Sequence, residues 1–501
     1  MRSGPDIAAW IDRHAAFTPT KPALITDKVI VTYARLAARI NQLAVYFSKE
    51  QGLPTGARVA WLGHNGPDLI AALFACARAG FMFLPLNWRL SGAELRFIVA
   101  DAGASLVVVD ASCRERMDDM GEGYPLATLG FDAVAVARLP PPRACARLPV
   151  GQNAEAPLLL VYTSGTTGRP KGAVLTQRAL LFNALNAIHM HAMTAKDVVL
   201  TVLPMFHVGG LNIQTTPALY CGATVALEPR CDAEETIEAI KRVKPSLTVQ
   251  VPATLKALLD HPHFARVDLS CLRGVTTGSM DVPVALIEAM HARKVPVSQI
   301  YGATETGPVA IYQRLDDAFD SIGSIGRAGL HTEIRLVGAD GGTVGVGTPG
   351  EILVRGPHVA TGYWNPNVAA AIPFTDGWFA SGDIAECDDA GLYWFKDRIK
   401  HVIISGGENI YPAELERILN ASGDLREAAV VGRPHARWGE VPVVVAVKAR
   451  FDTRKDEVLS LFNGTLARYK RPHDVVFIDA LPRNALGKIE VQQLRELVGN
   501  V

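Results

Sequence analysis

The stretch Leu158-Leu-Leu-Val-Tyr-Thr-Ser-Gly-Thr-Thr-Gly-Arg-Pro-Lys-Gly172 leads from a run of apolar residues into a loop rich in glycine and hydroxyl side chains. The apolar run predicts a buried strand that ends where the loop begins. Glycines let backbone N–H groups turn toward an anion, hydroxyls add donors, and Lys171 supplies a mobile positive charge. The stretch therefore predicts a loop that suits a polyphosphate.

This loop differs from the phosphate loop of kinases and GTPases, which requires Gly-Lys-Ser/Thr in series. Lys171 lies between Pro170 and Gly172, and no serine or threonine follows it to hold magnesium. An ordinary polar turn is the alternative interpretation of a loop rich in Gly, Ser and Thr. The full eleven-residue string from Tyr162 to Gly172 argues against that alternative.

Short apolar runs alternate with amphipathic helical patterns on both sides of the loop, which favours α/β architecture. Buried strands are predicted over Val59–Leu62 and Ser105–Val109, with a helix over Ala93–Asp101 between them. The proline-rich, aperiodic segment Leu139–Pro157 is interpreted as a surface connector, because the same pattern continues after it. We therefore expect a large α/β body made of several subdomains.

The pattern changes near residues 397–400 to a unit of about 100 residues. Helices are predicted over Pro412–Asn420, where the first proline costs no hydrogen bond, and over Lys455–Ala467. Strands are predicted over three segments, Glu427–Val431, Val441–Val447 and Val475–Ile478. The expected division is a large N-terminal domain, residues 1–399, and a small mobile α+β C-terminal domain, residues 400–501.

Composition excludes several classes of protein. Lys+Arg 50 and Asp+Glu 50 balance, so no global field would draw the chain to nucleic acid or to an anionic membrane. The seven cysteines are scattered without a CxxC pair, which argues against a zinc site and a disulfide framework. The N-terminus lacks the apolar segment of a signal peptide, and the most apolar stretch, Ala71–Leu86, is shorter than the roughly 20 residues of a spanning helix. A cytoplasmic protein without a nucleic-acid partner or a membrane span is expected.

The segment Tyr162–Gly172 resembles the signature loop of the adenylate-forming superfamily, which comprises acyl-CoA synthetases, peptide-synthetase adenylation domains and beetle luciferases. The resemblance covers essentially the whole chain, because six further motifs follow in the order of the family. They are Leu203-Pro-Met-Phe-His-Val-Gly-Gly210, Tyr301-Gly-Ala-Thr-Glu-Thr-Gly307, Gly377-Trp-Phe-Ala-Ser-Gly-Asp383, Asp397-Arg-Ile-Lys400, Ile404-Ser-Gly-Gly-Glu-Asn-Ile-Tyr-Pro412 and Asn484-Ala-Leu-Gly-Lys488. It implies the acyl-CoA synthetase fold and the use of ATP, Mg²⁺ and coenzyme A.

The resemblance implies a reaction in two halves. A carboxylate oxygen attacks the α-phosphate of ATP, and a thiol, usually that of coenzyme A, then displaces AMP from the acyl-adenylate. Because charge concentrates on a crowded phosphoryl group, catalysis must be mainly electrostatic and positional. Lys488 would contact the carboxylate oxygen and the α-phosphate, Glu305 would hold Mg²⁺, and Thr304 would donate to the α-phosphate. His207 would orient the carboxylate and would not act as a general base, since a carboxylate has no proton to lose at neutral pH.

Further nucleotide contacts are implied by the same resemblance. Tyr301 would present its ring to adenine, and Asp383 would accept hydrogen bonds from both ribose hydroxyls, with Arg398 supporting the ribose. The remaining implied residues lie in the signature loop and the adenine slot: Thr163, Ser164, Gly165, Thr166, Thr167, Gly168, Lys171, Gly278, Ser279 and Gly302. The alternatives are a surface ion pair for Asp383 and Arg398 and a solvated side chain for Lys488.

For the second half-reaction, the resemblance implies that the small domain rotates about Lys400 and carries Lys488 away. Glycines in the Ile404–Pro412 motif would leave room for a thin pantetheine arm. The implied CoA-binding residues are Gly406, Gly407, Glu408, Trp438, Tyr469, Arg471 and Arg89, and the two arginines would serve its phosphates. His473 stands where the family often has lysine, and Lys400 stands where many relatives have aspartate.

The candidate residues of the acyl pocket are mostly small and apolar. They are Phe182, Asn186, Val208, Gly209, Val249, Thr277, Ile300, Ala303, Gly307 and Pro308. No arginine or lysine occurs among them, which disfavours malonate-like diacids, since a second buried carboxylate would need a partner. A medium- or long-chain fatty acid is the leading prediction, and a benzoate- or cinnamate-type acid is the alternative.

Other functions fit the first half-reaction as well. A carrier-protein-dependent adenylating enzyme is the nearest, and the Gly406-Gly407 pair with Trp438 favours a CoA user over it. Nothing specific indicates the oxygen chemistry of luciferases. An inactive binding relative would not be expected to retain all five charged residues of the motifs, Lys171, Glu305, Asp383, Arg398 and Lys488. A homodimer is expected by analogy with the family alone.

Overall fold

The structure is a computed structural model. It describes residues 7–116, 126–129, 153–163, 170–279, 282–365, 373–406, 408–463, 466–484 and 488–499, with the backbone alone at 126–129 and 469. The connector predicted over Leu139–Pro157 lies mostly outside these ranges.

The described residues form strands β1 to β26, helices α1 to α13 and several short helical turns. The strands are Pro22–Ile25, Ile30–Thr32, Arg58–Leu62, Met82–Leu86, Leu106–Asp110, Leu126–Leu129, Pro157–Thr163, Lys171–Thr176, Val198–Thr201, Thr224–Leu227, Leu247–Gln250, Gly274–Gly278, Val297–Tyr301, Ile311–Tyr312, Arg327–Ala328, Glu333–Val337, Gly350–Arg355, Gly362–Tyr363, Phe374–Thr375, Trp378–Cys387, Tyr393–Arg398, Ile403–Ser405, Glu408–Ile410, Leu425–His435, Gly439–Lys448 and Asp474–Phe477. The α-helices are Ala8–Phe17, Tyr33–Val45, Pro67–Ala79, Gly92–Ala102, Gln177–His191, Val208–Asn212, Thr215–Cys221, Ala233–Val243, Pro252–Asp260, Val284–His291, Pro412–Ala421, Lys455–Ser460 and Val491–Gly499. The short turns used below are Thr304–Thr306, Ile399–His401 and Arg468–Lys470.

Residue contacts divide the chain into two compact units. The first comprises residues 1–282, 286–334 and 354–379, and the second comprises residues 283–285, 335–353 and 380–501. The predicted boundary between residues 399 and 400 marks where a mobile C-terminal domain would begin to rotate. Contacts within one structure do not measure such a rotation, so this boundary stays a prediction.

Two large sheets form the first unit. One has seven strands in the order β18-β8-β7-β4-β3-β5-β6, and the other has nine in the order β15-β14-β13-β12-β11-β9-β10-β1-β2. In the second sheet, strands β9 to β13 are parallel, so their carboxyl ends share one edge. Strands β10 and β11 flank β9 on opposite sides, which makes the gap between β9 and β11 a topological switch point, where α/β proteins bind ligands.

Local sequence explains the elements predicted in this unit. Strands β3 and β5 and helix α4 confirm the predicted strand, helix and strand within two residues of their expected ends. Helix α4 begins with a capping box, in which the Ser91 hydroxyl accepts from the Glu94 N–H and the Glu94 carboxylate accepts from the Ser91 N–H. Helix α3 begins with Pro67 and ends at Ala79, and Gly80 follows it in the left-handed conformation.

The second unit contains a sheet in the order β23-β22-β25-β24, with β26 parallel to β25. Side chains of β25 alternate between two cores: Val444 packs in one with Leu415, and Val443 packs in the other with Leu494. The predicted helix Pro412–Asn420 and all three predicted strands are confirmed.

The helix predicted over Lys455–Ala467 is too long. Helix α12 ends at Ser460, and residues 461–463 form a turn. The Phe462 side chain is fully buried from that turn, so its apolar position reflects core packing and not a continued helix. None of the helices in the described ranges is long and apolar enough to cross a membrane.

Two buried histidines predict how stability depends on pH. His191 Nδ1 donates to the Ala187 carbonyl at 2.6 Å, and His358 Nδ1 donates to the Thr306 carbonyl at 2.6 Å. Burial lowers the pKa of each imidazole to about 4. In the unfolded chain each histidine binds a proton near its ordinary pKa of about 6.5.

We therefore expect the free energy of unfolding to fall as the pH drops from about 6.5 to about 4, because only the unfolded state takes up these protons in that window. Each histidine contributes a slope of up to about 1.4 kcal/mol per pH unit. Denaturant unfolding at several pH values measures the slope. His191→Gln is expected to reduce it, and equal slopes in the wild-type protein and the variant would contradict the prediction.

Candidate active site

The signature loop connects two antiparallel strands of the seven-stranded sheet. Strands β7 and β8 pair so that Thr163 lies opposite Lys171, which places both residues at the base of the loop. The Lys171 ammonium lies 5.6 Å from the centre of the Tyr363 ring. The loop residues Ser164, Gly165, Thr166, Thr167 and Gly168 lie outside the described residues, and their phosphate contacts stay predictions.

Tyr363 joins the signature loop to the candidate magnesium residue. Its hydroxyl donates to Glu305 Oε1 at 2.7 Å, and its ring faces Lys171. Burial and the nearby carboxylate raise the pKa of Tyr363, so the phenol keeps its proton and remains a donor. Tyr363 was not among the predicted residues, because it lies on a two-residue strand, β18, too short to give a pattern in the sequence.

The Tyr301–Gly307 motif follows strand β13 and forms a tight turn. Glu305 is buried at 8% exposure in the turn Thr304–Thr306, and its own backbone carbonyl accepts from the Ala360 N–H at 2.7 Å. Tyr363 occupies one carboxylate oxygen. A carboxylate suits Mg²⁺ on phosphate oxygens, and the role of Glu305 as its ligand stays a prediction.

Glycine is required at two positions of the predicted adenine slot for a backbone reason. A Cβ atom at Gly302 would lie 1.7 Å from the Pro308 carbonyl oxygen, and one at Gly278 would lie 2.3 Å from the Ile300 carbonyl oxygen. Gly278 and Tyr301 end neighbouring parallel strands, and Ser279 follows in a left-handed conformation. The structure thus brings the slot residues together, while their contact with adenine stays a prediction.

His207 lies immediately before helix α6, after the turn that follows strand β9. The ring is half-buried and its centre is 4.6 Å from that of Phe206. Asn65 fixes this motif, since its side chain accepts from the Met205 N–H and donates to the Leu203 carbonyl. These contacts hold the motif that carries His207 in place. The proposed role of His207, orientation of the substrate carboxylate, stays a prediction.

Arg89 belongs to a cluster of cations and aromatic rings. Its guanidinium lies 5.0 Å from the Trp88 ring centre, and the guanidinium of Arg230 lies 5.5 Å from the same ring. Arg230 also donates to His64 Nε2 at 3.2 Å. Both arginines are exposed, so the cluster presents two forked cations to solvent. Only Arg89 of the two was predicted from the sequence, because Arg230 lies far away in the chain.

Strand register separates the acyl-pocket candidates. Val249 pairs with Thr276, and Gly278 pairs with Ile300, which places Val249, Thr276 and Ile300 on one face of the sheet. Thr277 therefore points to the opposite face. Phe182 on helix α5 packs edge-on against His331, with ring centres 5.1 Å apart.

The other acyl-pocket candidates differ in how much space surrounds them. Nothing lies within 4 Å of a Cβ atom built at Gly209, next to the buried Val208. The side chain of Asn186 is fully buried, donates to Val309 O and accepts from His331 N, so it links three segments of the fold. Ala303 lies at the start of the motif turn, and Gly307 and Pro308 are buried after it. The role of each in binding the acid stays a prediction.

In the second unit, strands β20 and β21 bring together the two predicted ribose residues. Asp383 lies opposite Arg398, and Asp383 Oδ1 is 3.1 Å from Arg398 Nε. The carboxylate is buried, whereas the guanidinium is half-exposed. The structure therefore contains the ion pair between Asp383 and Arg398 that was the alternative to a ribose-binding role. The same carboxylate could still accept hydrogen bonds from two ribose hydroxyls, and that role stays a prediction. Lys400 follows in the exposed turn Ile399–His401.

The predicted CoA residues fall into two groups. Gly406 donates its N–H to the Trp438 carbonyl at 2.7 Å, and Trp438 is 39% exposed, with Glu408 on the neighbouring strand β23. Arg471 Nε donates to the Leu466 carbonyl, and its Nη1 donates to Asn463 Oδ1. Much of the guanidinium is therefore used in hydrogen bonds to neighbouring residues of the chain. Gly407 and the Tyr469 side chain lie outside the described residues. His473 is exposed, and its ring packs against His435.

Two hydrogen bonds hold the backbone of Lys488 against Asn484. Its N–H donates to Asn484 Oδ1 at 3.1 Å, and its carbonyl accepts from the Asn484 N–H at 2.9 Å. The residue is exposed. The catalytic role of Lys488 stays a prediction.

Outside these motifs, the described residues include one group of three side chains of the kinds that bind metal ions. Glu234 Oε2 lies 3.0 Å from His261 Nε2 and 3.5 Å from His263 Nδ1. Two of the three residues are exposed, and ordinary ion pairs between the start of helix α8 and the end of helix α9 account for the arrangement. We assign it no part in the reaction.

Comparison with known proteins identifies the family of the chain. The family AMP-binding enzyme matches residues 11–364, and the AMP-binding enzyme C-terminal domain matches residues 414–488. Indoleacetate–CoA ligase of Aromatoleum aromaticum is 47% identical over 98% of both chains. Feruloyl-CoA synthase of an Amycolatopsis species is 37% identical over 98% of this chain and 99% of that one, and the long-chain-fatty-acid–CoA ligase FadD13 of Mycobacterium tuberculosis is 33% identical over 98% of both.

Solved structures agree as well. ATP-bound MatB from Rhodopseudomonas palustris has a TM-score of 0.88 at 30% identity over 98% of both chains. The o-succinylbenzoate CoA synthetase MenE from Bacillus subtilis, with ATP and a magnesium ion, has a TM-score of 0.84 at 30% identity over 97% of this chain and 98% of that one. The expected acyl-CoA synthetase fold is thereby confirmed. The chain belongs to the AMP-binding enzyme family, within which the CoA ligases match it over almost its whole length.

Proposed function

We propose that this protein is an ATP-dependent ligase that joins an aromatic acid to coenzyme A through an acyl-adenylate. The observation that carries the proposal is the 47% identity, over 98% of both chains, to an indoleacetate–CoA ligase. The expected fatty acid has weaker support, because the fatty-acid ligase FadD13 is 33% identical and the feruloyl-CoA synthase is 37% identical. The aromatic alternative therefore replaces the fatty acid as the leading substrate.

We assign each half-reaction to particular side chains. In the first half-reaction, an oxygen of the substrate carboxylate bonds to the α-phosphorus of ATP, and the bond to the leaving pyrophosphate breaks. We assign charge stabilisation to Lys488 and Lys171, and orientation of the carboxylate to His207. Mg²⁺, when bound at Glu305, would neutralise phosphate charge.

In the second half-reaction, the sulfur of coenzyme A bonds to the acyl carbon, its proton passes to solvent, and AMP leaves. We assign the pantetheine path to Gly406, Glu408 and Trp438, since the indole is 39% exposed and lies so close to Gly406 that a Cβ atom there would be 3.0 Å from the ring. Arg89 and Arg230 supply forked cations suited to phosphate groups. The rotation about Lys400, the homodimer and the cytoplasmic location stay predictions.

The composition of the acyl-pocket candidates favours an aromatic monocarboxylate. Phe182 and His331 supply ring edges, Val249 and Ile300 supply one apolar face, and Gly209 leaves space. Aromatic rings pack favourably edge-on against such groups. No lysine or arginine stands among these candidates to pair with a second carboxylate.

A panel of acids tests the proposal through CoA-dependent release of AMP. We expect arylacetates to give kcat/KM values at least about tenfold above those of octanoate, hexadecanoate and malonate, from the difference in fit to a flat apolar pocket. Each acid is also assayed without coenzyme A, by exchange of labelled pyrophosphate into ATP. A preference for a fatty acid would support the substrate predicted from the sequence instead of an aromatic acid. A preference for a dicarboxylate would contradict the inference drawn from the absence of lysine and arginine among the pocket candidates.

A further inference from the structure

The turn that carries Glu305 is held by a later segment of the chain. The Tyr363 hydroxyl donates to Glu305 Oε1, and the Ala360 N–H donates to the Glu305 carbonyl, both at 2.7 Å. From the same segment, His358 Nδ1 donates to the carbonyl of the next residue of the turn, Thr306, at 2.6 Å. The side chain of His358 therefore holds the backbone from which the Glu305 carboxylate projects.

The hydrogen bonds of His358 determine where its proton lies. The side chain is fully buried, and burial lowers the pKa of the imidazole, so the ring is neutral. A carbonyl only accepts hydrogen bonds, so the proton lies on Nδ1, and Nε2 must accept. The Thr332 hydroxyl, 2.8 Å from Nε2, is therefore the donor. The imidazole uses both nitrogens inside the protein and does not contact a substrate.

The chain of hydrogen bonds continues to helix α5. Thr332 Oγ1 donates its one proton to His358, so it accepts from Asn186 Nδ2 at 3.0 Å. The same nitrogen donates to the Val309 carbonyl, and the Asn186 oxygen accepts from the His331 N–H, both at 2.9 Å. Two acceptors thus face the amide nitrogen and one donor faces the oxygen, which fixes the orientation of the amide. Helix α5 is thereby linked to the turn through two further side chains.

The imidazole of His358 fills a space that the backbone leaves open at Gly356. A Cβ atom there would lie 2.8 Å from His358 Nε2 and 2.6 Å from the His331 carbonyl oxygen. A Cβ atom at Gly307, at the end of the turn, would lie 3.1 Å from the His358 carbonyl oxygen. The backbone thus comes close to His358 from two directions, and the imidazole is held with Nδ1 facing the turn.

We propose that His358 is a positioning residue for adenylation, which holds the turn Thr304–Thr306 so that the Glu305 carboxylate keeps the orientation in which it would bind Mg²⁺. The inference rests on the proposed function, in which Glu305 serves the metal ion on ATP. His358 acts through the backbone of the turn and takes no part in the chemistry. Loss of its Nδ1–H should therefore weaken the response to Mg²⁺ more than it weakens the second half-reaction.

Two amide substitutions separate the two hydrogen bonds of the ring. The side-chain nitrogen of asparagine can replace Nδ1, so His358→Asn can keep the bond to Thr306 and loses the contact with Thr332. The longer glutamine places its amide near Nε2, so His358→Gln can keep the contact with Thr332 and loses the bond to Thr306. Each variant loses one hydrogen bond and the aromatic ring, so we expect similar losses of thermal stability.

The first measurement is the Mg²⁺ concentration for half-maximal exchange of labelled pyrophosphate into ATP. We expect it to rise about tenfold in His358→Gln and to stay within about threefold of wild type in His358→Asn, the difference made by one buried hydrogen bond. Thioester formation from synthetic acyl-AMP, which releases no pyrophosphate, should stay within about threefold of wild type in both variants.

The second measurement needs no turnover. Calorimetry gives the affinity for α,β-methylene-ATP, which cannot release pyrophosphate, with Mg²⁺ and with EDTA. We expect the gain in affinity due to Mg²⁺ to fall about tenfold in His358→Gln and to persist in His358→Asn. If His358→Gln does not fold, His358→Leu replaces it, since leucine fills the buried site and also lacks the donor.

The matched control is His191→Gln. His191 is fully buried as well, its Nδ1 donates to a carbonyl at 2.6 Å, and its Nε2 lies 2.8 Å from a threonine hydroxyl, but its partners are Ala187 and Thr276. This variant should keep the wild-type response to Mg²⁺ in both measurements.

Three outcomes would overturn the role of His358. They are a normal response to Mg²⁺ in the variant without the donor, an equal loss in His358→Asn, and an equal loss in His191→Gln. The last two would show a general effect of a damaged core. If the wild-type protein activates no arylacetate, the proposed function fails, whereas the calorimetric comparison still decides the role of His358.

Discussion

Replacing Lys488 with alanine is expected to lower the rate of adenylate formation by roughly 1,000-fold, while transfer from supplied acyl-AMP to coenzyme A stays within about threefold of wild type. The first step brings a carboxylate and a phosphate oxygen together, and a preorganised ammonium group offsets their repulsion. The second step releases AMP from an adenylate already formed, so it needs no such cation. Pyrophosphate exchange measures the first step, and thioester formation from synthetic acyl-AMP measures the second.

Two further variants test whether the effect depends on the charge and on the position of Lys488. Lys488→Arg keeps the charge but replaces a compact ammonium by a planar fork, so we expect partial recovery of adenylation. Lys455→Ala removes another lysine of the second unit, one that pairs with Asp474 at 3.0 Å, and should leave both steps unchanged. Because Lys488 is exposed, thermal stability should be equal in all three variants. Equal loss of both half-reactions in Lys488→Ala would contradict the division of labour between them.

The elements that the sequence predicted well are those whose pattern repeats. Helices α4 and α11 each carry several buried apolar residues at helical spacing and begin with a cap or a proline, and strand β3 is a continuous run of buried apolar residues. The predicted helix from Lys455 was too long because the buried Phe462 continues the apolar pattern from a turn. Periodicity records which residues are buried and does not record where the backbone changes conformation.

The parts of the candidate site that the sequence did not reveal depend on contacts between distant segments. Tyr363 meets Glu305 across 58 positions of the chain, through a two-residue strand that has no period of its own. Asn65 supports the motif that carries His207 by accepting a hydrogen bond from the Met205 N–H, 140 positions away in the chain. The motifs, in contrast, were recognisable because each is a continuous string, such as Tyr301–Gly307. Chemistry within one loop could be predicted, but its support by neighbouring elements could not.

The link between Glu305 and Tyr363 predicts a graded loss of activity. Glu305→Gln keeps the shape of the side chain and removes its charge, so we expect adenylation to fall by roughly 100-fold or more, since a neutral amide is a poor ligand for Mg²⁺ on a triphosphate. Tyr363→Phe keeps the ring that faces Lys171 and removes the 2.7 Å hydrogen bond to Glu305. We expect a loss of about tenfold, the usual effect of one hydrogen bond to a charged group.

The dependence of each rate on Mg²⁺ concentration separates the two effects. Tyr363→Phe frees the Glu305 carboxylate to rotate, so the Mg²⁺ concentration for half-maximal rate should rise while the rate at saturating Mg²⁺ approaches that of wild type. Glu305→Gln should not recover at any Mg²⁺ concentration, because the ligand itself is lost. Tyr312→Phe is the control, since that phenol contacts His189 and the Leu330 N–H instead of the carboxylate. A Tyr363→Phe variant with a normal Mg²⁺ requirement would show that the hydrogen bond does not position the metal ligand.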